Sequence, residues 1–272
     1  MFYSPILSFF RISGILSWTF LCCSLQLVFI ILPRKYFFIV PKVFFKGLVF
    51  LFGIKLKING LPRKYKTIYI SNHSSYIDII ILGSVLDALF VAKSEIASWP
   101  LINRVVKLGK TIFVNRKQLM RAKEQIEILD NNLNKGYNII IFPEGTSNDG
   151  TKVLPFKSSL FAIQEHENKK DHYFQPTSIT YTRLDGIPLN RMFKPFFAWY
   201  GDMDLVPHAW KFLGIGNCEI ILNFHQPIKF SKFKSRKETS STCYNIISDQ
   251  VASNLNVQNK EKFINLYNHK YL

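Results

Sequence analysis

"KTIYISNHSSYIDIIILGSVL", Lys66 to Leu86, reads as a strand, a polar turn and a helix in succession. The run KTIYIS has the β-branched and aromatic content of a strand, and Asn72 to Ser75 are cap and turn formers. The turn decides whether His73 and Asp78 can meet. On one regular helix, five residues at about 100° each would leave their side chains roughly 140° apart. With His73 in a strand-to-helix turn and Asp78 in the first helical turns, the carboxylate reaches back to the imidazole. A carboxylate on one ring nitrogen fixes the tautomer and leaves the other nitrogen as a base, as removing a proton from an alcohol requires. A plainer alternative is a turn histidine beside an acid favoured by the helix macrodipole, and on this stretch alone that alternative prevails.

The same alternation continues along the chain. The β-rich runs KLKING, KTIYIS, LFVAK, TIFVNR and NIIIFPEG are separated by stretches of helical periodicity, which predicts an α/β layer structure with a central sheet flanked by helices. The clearest helix runs from about Gln118 to Leu133, with Leu119, Ala122, Ile126, Leu129 and Leu133 at three- and four-residue spacing and Gly136 placed to cap it. FQPTSITYTR and CEIILNFHQPI suggest later strands. The expected division is a membrane anchor over residues 1–55, a catalytic-sized domain over 56–232, and a basic tail over 233–272 with a short helix holding Ile246, Ile247, Val251 and Leu255.

The 272 residues carry 35 Lys and Arg against 18 Asp and Glu, a formal net charge of +17, which implies anionic partners. No acidic residue precedes Asp78, whereas Arg11, Arg34, Lys35, Lys42, Lys46, Lys55, Lys57, Arg63, Lys64 and Lys66 all do. The excess surrounds the most apolar part of the chain, so anionic membrane lipids are the expected partner and nucleic acid is not. Ile12 to Leu32 is an uncharged run of 21 residues. At about 1.5 Å per residue it reaches roughly 31 Å, enough to span a bilayer, and no signal-peptidase pattern follows it. A second apolar run, Tyr36 to Ile54, contains Pro41, Lys42 and Lys46 and fits an interfacial helix. The anchor is thus one spanning or re-entrant helix plus an interfacial one, a buried hairpin of a soluble protein being the alternative. The excess of Arg and Lys after the first run places the active site on the cytoplasmic face of the inner membrane. Cys22, Cys23, Cys218 and Cys243 form neither a CxxC pattern nor a disulfide framework, and the scattered histidines have no ligand spacing, so no metal is assigned.

Two further stretches carry chemistry. In NIIIFPEGTSNDG, Asn138 to Gly150, an apolar strand ends in a proline, then Glu144 beside Gly145, Thr146 and Ser147, at the kind of strand edge where open α/β sheets place their sites. In GKTIFVNR a short strand ends at Arg116, whose guanidinium fork suits a phosphate oxyanion. Taken singly, each is also an ordinary turn or a solvated charge.

In this order and at these separations, NHSSYID, GKTIFVNR, FPEGTSNDG and FQPTSITYTRLDG resemble the four blocks of the PlsC-like glycerolipid acyltransferases, the 1-acylglycerol-3-phosphate acyltransferase family. The resemblance implies that His73 deprotonates the free hydroxyl of a lysophospholipid and that Asp78 orients it. The hydroxyl then attacks an acyl thioester directly, from acyl-CoA or acyl carrier protein, with no other cofactor. The expected product is phosphatidic acid, formed by acylating the sn-2 hydroxyl of 1-acylglycerol-3-phosphate. Arg116, Glu144, Gly145 and Thr146 would bind the glycerol phosphate, and the block around Pro176 would shape the site. Where the family commonly has an acid before the arginine of its second block the chain has Asn115, and where an arginine often follows EGT it has Ser147. Lys93 and Lys157 are candidates to replace the missing cation. The strings EGTSNDGTKVLPFKSSLF and AWYGDMDLVPH are similar to a bacterial branch that includes lyso-ornithine-lipid acyltransferases, which makes that acceptor the alternative. Two other classes are weighed against this: a lipid hydrolase, which lacks a GxSxG or HExxH motif here, and a non-enzymatic binder of anionic lipid.

Overall fold

The computed structural model describes residues 3–99, 102–114, 122–165, 171–190 and 193–268. In chain order the elements are α1 (Pro5–Phe29), α2 (Ile39–Leu51), β1 (Ile54–Asn59), β2 (Thr67–Ser71), α3 (Ile77–Val85), β3 (Ala88–Lys93), α4 (Ile102–Leu108), β4 (Ile112–Val114), α5 (Ala122–Asn134), β5 (Asn138–Ile141), β6 (Tyr173–Leu184), β7 (Ile187–Pro188), α6 (Leu205–Leu213), β8 (Cys218–Phe224), β9 (Ile228–Lys229) and α7 (Arg236–Asn268). The strands form one sheet in the order β1-β8-β6-β2-β5-β3-β4, with β7 and β9 added to the ends of β6. From β6 to β4 every neighbouring pair is parallel, whereas β6 and β8 are antiparallel.

Every residue of β2 and β5 is buried, as central strands covered on both faces require. Their side chains alternate between two cores. Tyr69 and Ile140 face Leu48 of α2 and Phe52 just after it, Ile77 and Ile81 of α3, and Phe212 of α6. Ile68, Ile70, Ile139 and Ile141 face Leu129 and Leu133 of α5 and Ile247 and Val251 of α7. Each such side chain stabilises the fold by roughly 1.5–3 kcal/mol relative to exposure. The sheet's two central strands thus hold their C-terminal ends side by side, with Ile70 opposite Ile141.

The C-terminal helix differs from its sequence reading. It is 33 residues long and begins inside the Ser-rich basic stretch. The cause is tertiary: Cys243, Ile247 and Val251 close the second core, and buried Thr239 and Ser240 sit at its start.

The two N-terminal helices pack as a hairpin. Ser4 caps α1, accepting a bond from the Leu7 amide, and Pro5 opens the first turn. The indole of Trp18 donates to the Phe44 carbonyl of α2 at 3.1 Å. The outer face carries Phe9, Phe10, Leu16, Phe20, Ile31 and Phe50, all exposed. Among the described residues α1 is one helix long and apolar enough to cross a membrane. Both ends of the hairpin are nevertheless bonded to the α/β layer. At one end the Ser4 amide donates to Gly214 O at 2.8 Å, Ser8 Oγ to Trp210 O at 2.9 Å, and the Arg11 guanidinium to the carbonyls of Leu213, Ile215 and Gly216. At the other end Arg34 lies 4.4 Å over the Tyr137 ring and Phe37 is buried in the second core. Lys42, on α2, pairs with Asp87 at 2.9 Å.

Helix α3 meets α2 through Gly83. A Cβ there would stand 2.3 Å from the Phe45 ring, which is itself held by Phe44 and Phe90. Alanine in place of this glycine gains about 0.5–1 kcal/mol of helix propensity but overpacks the interface by about 1–3 kcal/mol. Gly83→Ala is therefore expected to lower the denaturant midpoint of the detergent-solubilised protein, and an unchanged or raised midpoint would refute the tight contact.

Candidate active site

The C-terminal ends of β2 and β5 deliver His73 and Glu144 to one edge of the sheet. The Asn72 side chain continues the bonding to β6 past the end of β2: its Nδ2 donates to Ile179 O at 3.0 Å, and its Oδ1 accepts from Ile179 N at 2.8 Å. The chain then turns, and α3 starts with Asp78 in its first turn.

Asp78 has no exposed surface. Its Oδ2 accepts from His73 Nδ1 at 2.9 Å, from Ser74 N at 2.7 Å and from Ser75 N at 2.9 Å, and its Oδ1 accepts from the Tyr181 hydroxyl at 2.6 Å. The turn therefore brings His73 and Asp78 together as its sequence spacing allows. The His73 ring stacks on Phe142 with centroids 4.1 Å apart, and its side chain keeps 17% of its surface open. With Nδ1 engaged, the nitrogen left for a substrate is Nε2. The outer side of the turn is held by Trp199, whose amide donates to Ser74 O at 2.9 Å, and by Tyr76, whose hydroxyl lies 3.3 Å from His208 Nδ1.

Glu144 is 3% exposed and points inward. Its Oε1 accepts from the His73 amide at 2.6 Å, while Oε2 accepts from Leu154 N at 2.9 Å and from the Asn148 side chain. The Asn148 amide in turn donates to His73 O. The sequence expectation set Glu144 against a substrate phosphate, but in the structure both its oxygens are taken up by the scaffold. Gly145 turns the chain at φ +77. Thr146 is exposed, its hydroxyl donating to Ser147 O. Lys93 ends β3 and is exposed, and Lys157 is exposed with its amide donating to Pro143 O at 2.9 Å. Arg116 lies outside the described residues. Among the described residues no cluster of three His, Cys, Asp or Glu side chains is placed to hold a metal.

Sequence reasoning missed Tyr181, Asn72, Asn148 and Phe142 as members of this site. Tyr181 arrives because β6 overhangs β2: Ser71 pairs with Thr177, and β6 continues to Leu184. The one available signal was the polar content of an otherwise buried strand, since Thr177, Ser178, Thr180 and Thr182 are all buried.

Burial pushes the Glu144 carboxyl from its ordinary 4.5 up to about 7, against the three donors that favour its ionised form. A carboxyl raised on folding contributes stability that is full below about 4.5 and is lost as pH rises through about 7. The wild-type protein is thus expected to lose on the order of 1–3 kcal/mol between pH 5 and 8 relative to Glu144→Gln. Parallel pH dependences in denaturant melts would show that Glu144 does not titrate on this scale.

A model of the Acyltransferase family matches residues 55–180. The chain is 34% identical over 214 residues to the lyso-ornithine lipid O-acyltransferase of Rhizobium meliloti (strain 1021), covering 76% of this chain and 72% of that protein. With the protein of the same name from Brucella abortus (strain 2308) it shares 32% identity over 230 residues, 79% of this chain and 86% of the relative. With the 1-acyl-sn-glycerol-3-phosphate acyltransferase of Neisseria gonorrhoeae it shares 34% identity over 91 residues, 34% and 36% of the two chains. The crystal structure of the 1-acyl-sn-glycerophosphate acyltransferase PlsC from Thermotoga maritima has the same fold, with a TM-score of 0.67 over 91% of this chain and 94% of the other at 22% identity. The order of the strands, the histidine and carboxylate joined across a strand-to-helix turn, and relatives matched along most of their length agree: this chain belongs to the glycerolipid acyltransferase family.

Proposed function

We propose that this protein is a membrane-bound O-acyltransferase that moves a fatty acyl group from an acyl thioester to the hydroxyl of a lysolipid, with lyso-ornithine lipid as the acceptor. The observation that carries the reaction is the 2.9 Å contact between His73 Nδ1 and a fully buried Asp78 carboxylate, which holds the imidazole with Nε2 available as base. His73 Nε2 takes the proton of the acceptor hydroxyl as that oxygen bonds to the thioester carbonyl carbon. Collapse of the tetrahedral intermediate breaks the C–S bond, and the departing thiolate recovers the proton from the imidazolium. The products are an ester and a free thiol, of CoA or of acyl carrier protein, with no acyl-enzyme. Glu144 and Asn148 serve here by fixing the backbone of His73.

The acceptor assignment is supported by the relatives matched over most of their length, which are lyso-ornithine lipid acyltransferases, and by Asn115 and Ser147 where charged residues would accompany a glycerol phosphate. A second reading, 1-acylglycerol-3-phosphate as acceptor with phosphatidic acid as product, is favoured by the 91-residue match to the Neisseria enzyme. The Arg116 block keeps a phosphate-suited guanidinium for that reading. The lipid enters from the bilayer in either case. Because both ends of the apolar α1–α2 hairpin are bonded to the catalytic layer, we place the hairpin in one leaflet on the cytoplasmic side. Its outer face is hollowed by a groove of about 650 Å³ between Gly14, Trp18, Val43 and Phe50, with Lys46 at its edge for anionic headgroups.

Acyl transfer from labelled acyl-CoA and acyl carrier protein, with lyso-ornithine lipid and lysophosphatidic acid as parallel acceptors, tests the assignment. Product from the phosphate-free acceptor, reduced about 10²–10⁴-fold in kcat by His73→Ala with membrane association retained, is the expected result. Phosphatidic acid alone would move the acceptor to the second reading. Transfer to neither acceptor that depends on His73 would leave a non-enzymatic lipid binder.

A further inference from the structure

We infer that Tyr181 is a positioning residue for the reaction, acting on His73 through Asp78 by donating its phenolic hydrogen to the Asp78 carboxylate. The inference rests on the reading of His73 and Asp78 as the base and its partner.

Oδ2 of Asp78 has three donors, and Oδ1 has Tyr181 at 2.6 Å. A carboxylate without exposed surface keeps its charge only while its lone pairs are met. Without the phenol, Oδ1 would lose this partner, and the carboxylate could rotate about its Cβ–Cγ bond away from the geometry that aims His73. The phenol is placed by elements the catalytic turn does not control. The overhanging part of β6 carries it, Phe197 packs on its ring at 5.6 Å between centroids, and Leu189, Phe212 and Cys218 belong to the same core. Tyr181 reaches Asp78 through its hydroxyl while its ring packs against Phe197 and the first core, so it acts on the pair through the carboxylate.

The phenol is also a fixed donor. Burial, then the charge of Asp78, push its ionisation well above the ordinary value of 10. The other titratable groups that bear on it, Tyr76 and Cys218, are held neutral by burial as well. Beyond it, the segment that bears Phe197 and Trp199 also reaches Ser74 and Tyr76, so the back of the turn is braced at three points.

The test is a double-mutant cycle on kcat in the full-length protein in its membrane. Tyr181→Phe keeps the ring and removes the donor. It is expected to lower kcat roughly 10-fold, the effect of one hydrogen bond to a charged group, with both KM values within about 2-fold and, because Oδ1 loses its partner, a melting temperature a few degrees below wild type. In the Asp78→Asn background the same change is expected to alter kcat by less than about 2-fold, since the group through which the phenol acts is already neutral. An equal loss in both backgrounds would overturn the inference, because a merely structural tyrosine lowers the folded fraction whichever residue occupies position 78. So would an unchanged kcat for Tyr181→Phe alone. If His73→Ala and Asp78→Asn are themselves fully active, it is the reading of the catalytic pair that fails; if both are inactive while Tyr181→Phe behaves as wild type, only the role of Tyr181 does.

Discussion

A carboxylate with no contact to solvent sets the architecture of this edge of the sheet. Moving an unpaired ion of this kind out of water costs several kcal/mol, and the donors that offset it come from different parts of the chain. Two are backbone amides of Ser74 and Ser75, which forces the chain to turn at once after β2 and fixes where α3 begins. One is the imidazole, and one is a phenol that exists at that point only because β6 outruns β2. Glu144 repeats the device one strand away, taking the His73 amide from the other side. His73 is thus gripped at its ring by one buried acid and at its backbone by another, so little rotamer or backbone entropy remains to be lost when a hydroxyl arrives.

The two acids differ in the chemistry that meets them. Asp78 faces a titratable partner and a phenol, whereas Glu144 faces three amide donors and lies where burial outweighs them. The first holds an imidazole ring and the second holds the backbone of the turn. Residue type alone assigns both to the same class, and only the direction of each side chain separates them.

What was legible in the sequence follows the range of the interaction that encodes it. Strands β2 and β5 carry apolar centres, Ile68 to Ile70 and Ile139 to Ile141, because both faces are covered, and His73 and Asp78 are joined within five residues by turn formers; each leaves a local pattern. Tyr181 lies 103 positions from Asp78, and Asn72 is bonded to Ile179 across 107, so no periodicity announces them. Helix α7 was underestimated because its N-terminal turns bury Thr239 and Ser240 as well as Cys243, so a polar, basic stretch that resembles a tail is shaped by the sheet it covers. From Ala122 onward the helix ahead of β5 matches its reading because Leu129 and Leu133 stand at helical spacing and Gly136, at φ +78, ends it; the expected start from Gln118, with Leu119, lies outside the described residues. The inward turn of Glu144 had no such signal: its partners Leu154 and Asn148 are ordinary residues of a loop.

The clasp between α1 and the approach to β8 also has a meaning in time. Ser8 and Arg11 bond to carbonyls 202 to 205 positions further along the chain. At about 5–20 residues per second, the ribosome has released the apolar helix roughly 10–40 s before its protein partner exists. Throughout that interval the Ser8 hydroxyl and the Arg11 guanidinium are without the distant carbonyls they will bond. The hairpin is therefore made well ahead of the segment that clasps it, and the contacts that fix its first helix to the sheet layer are among the last to close.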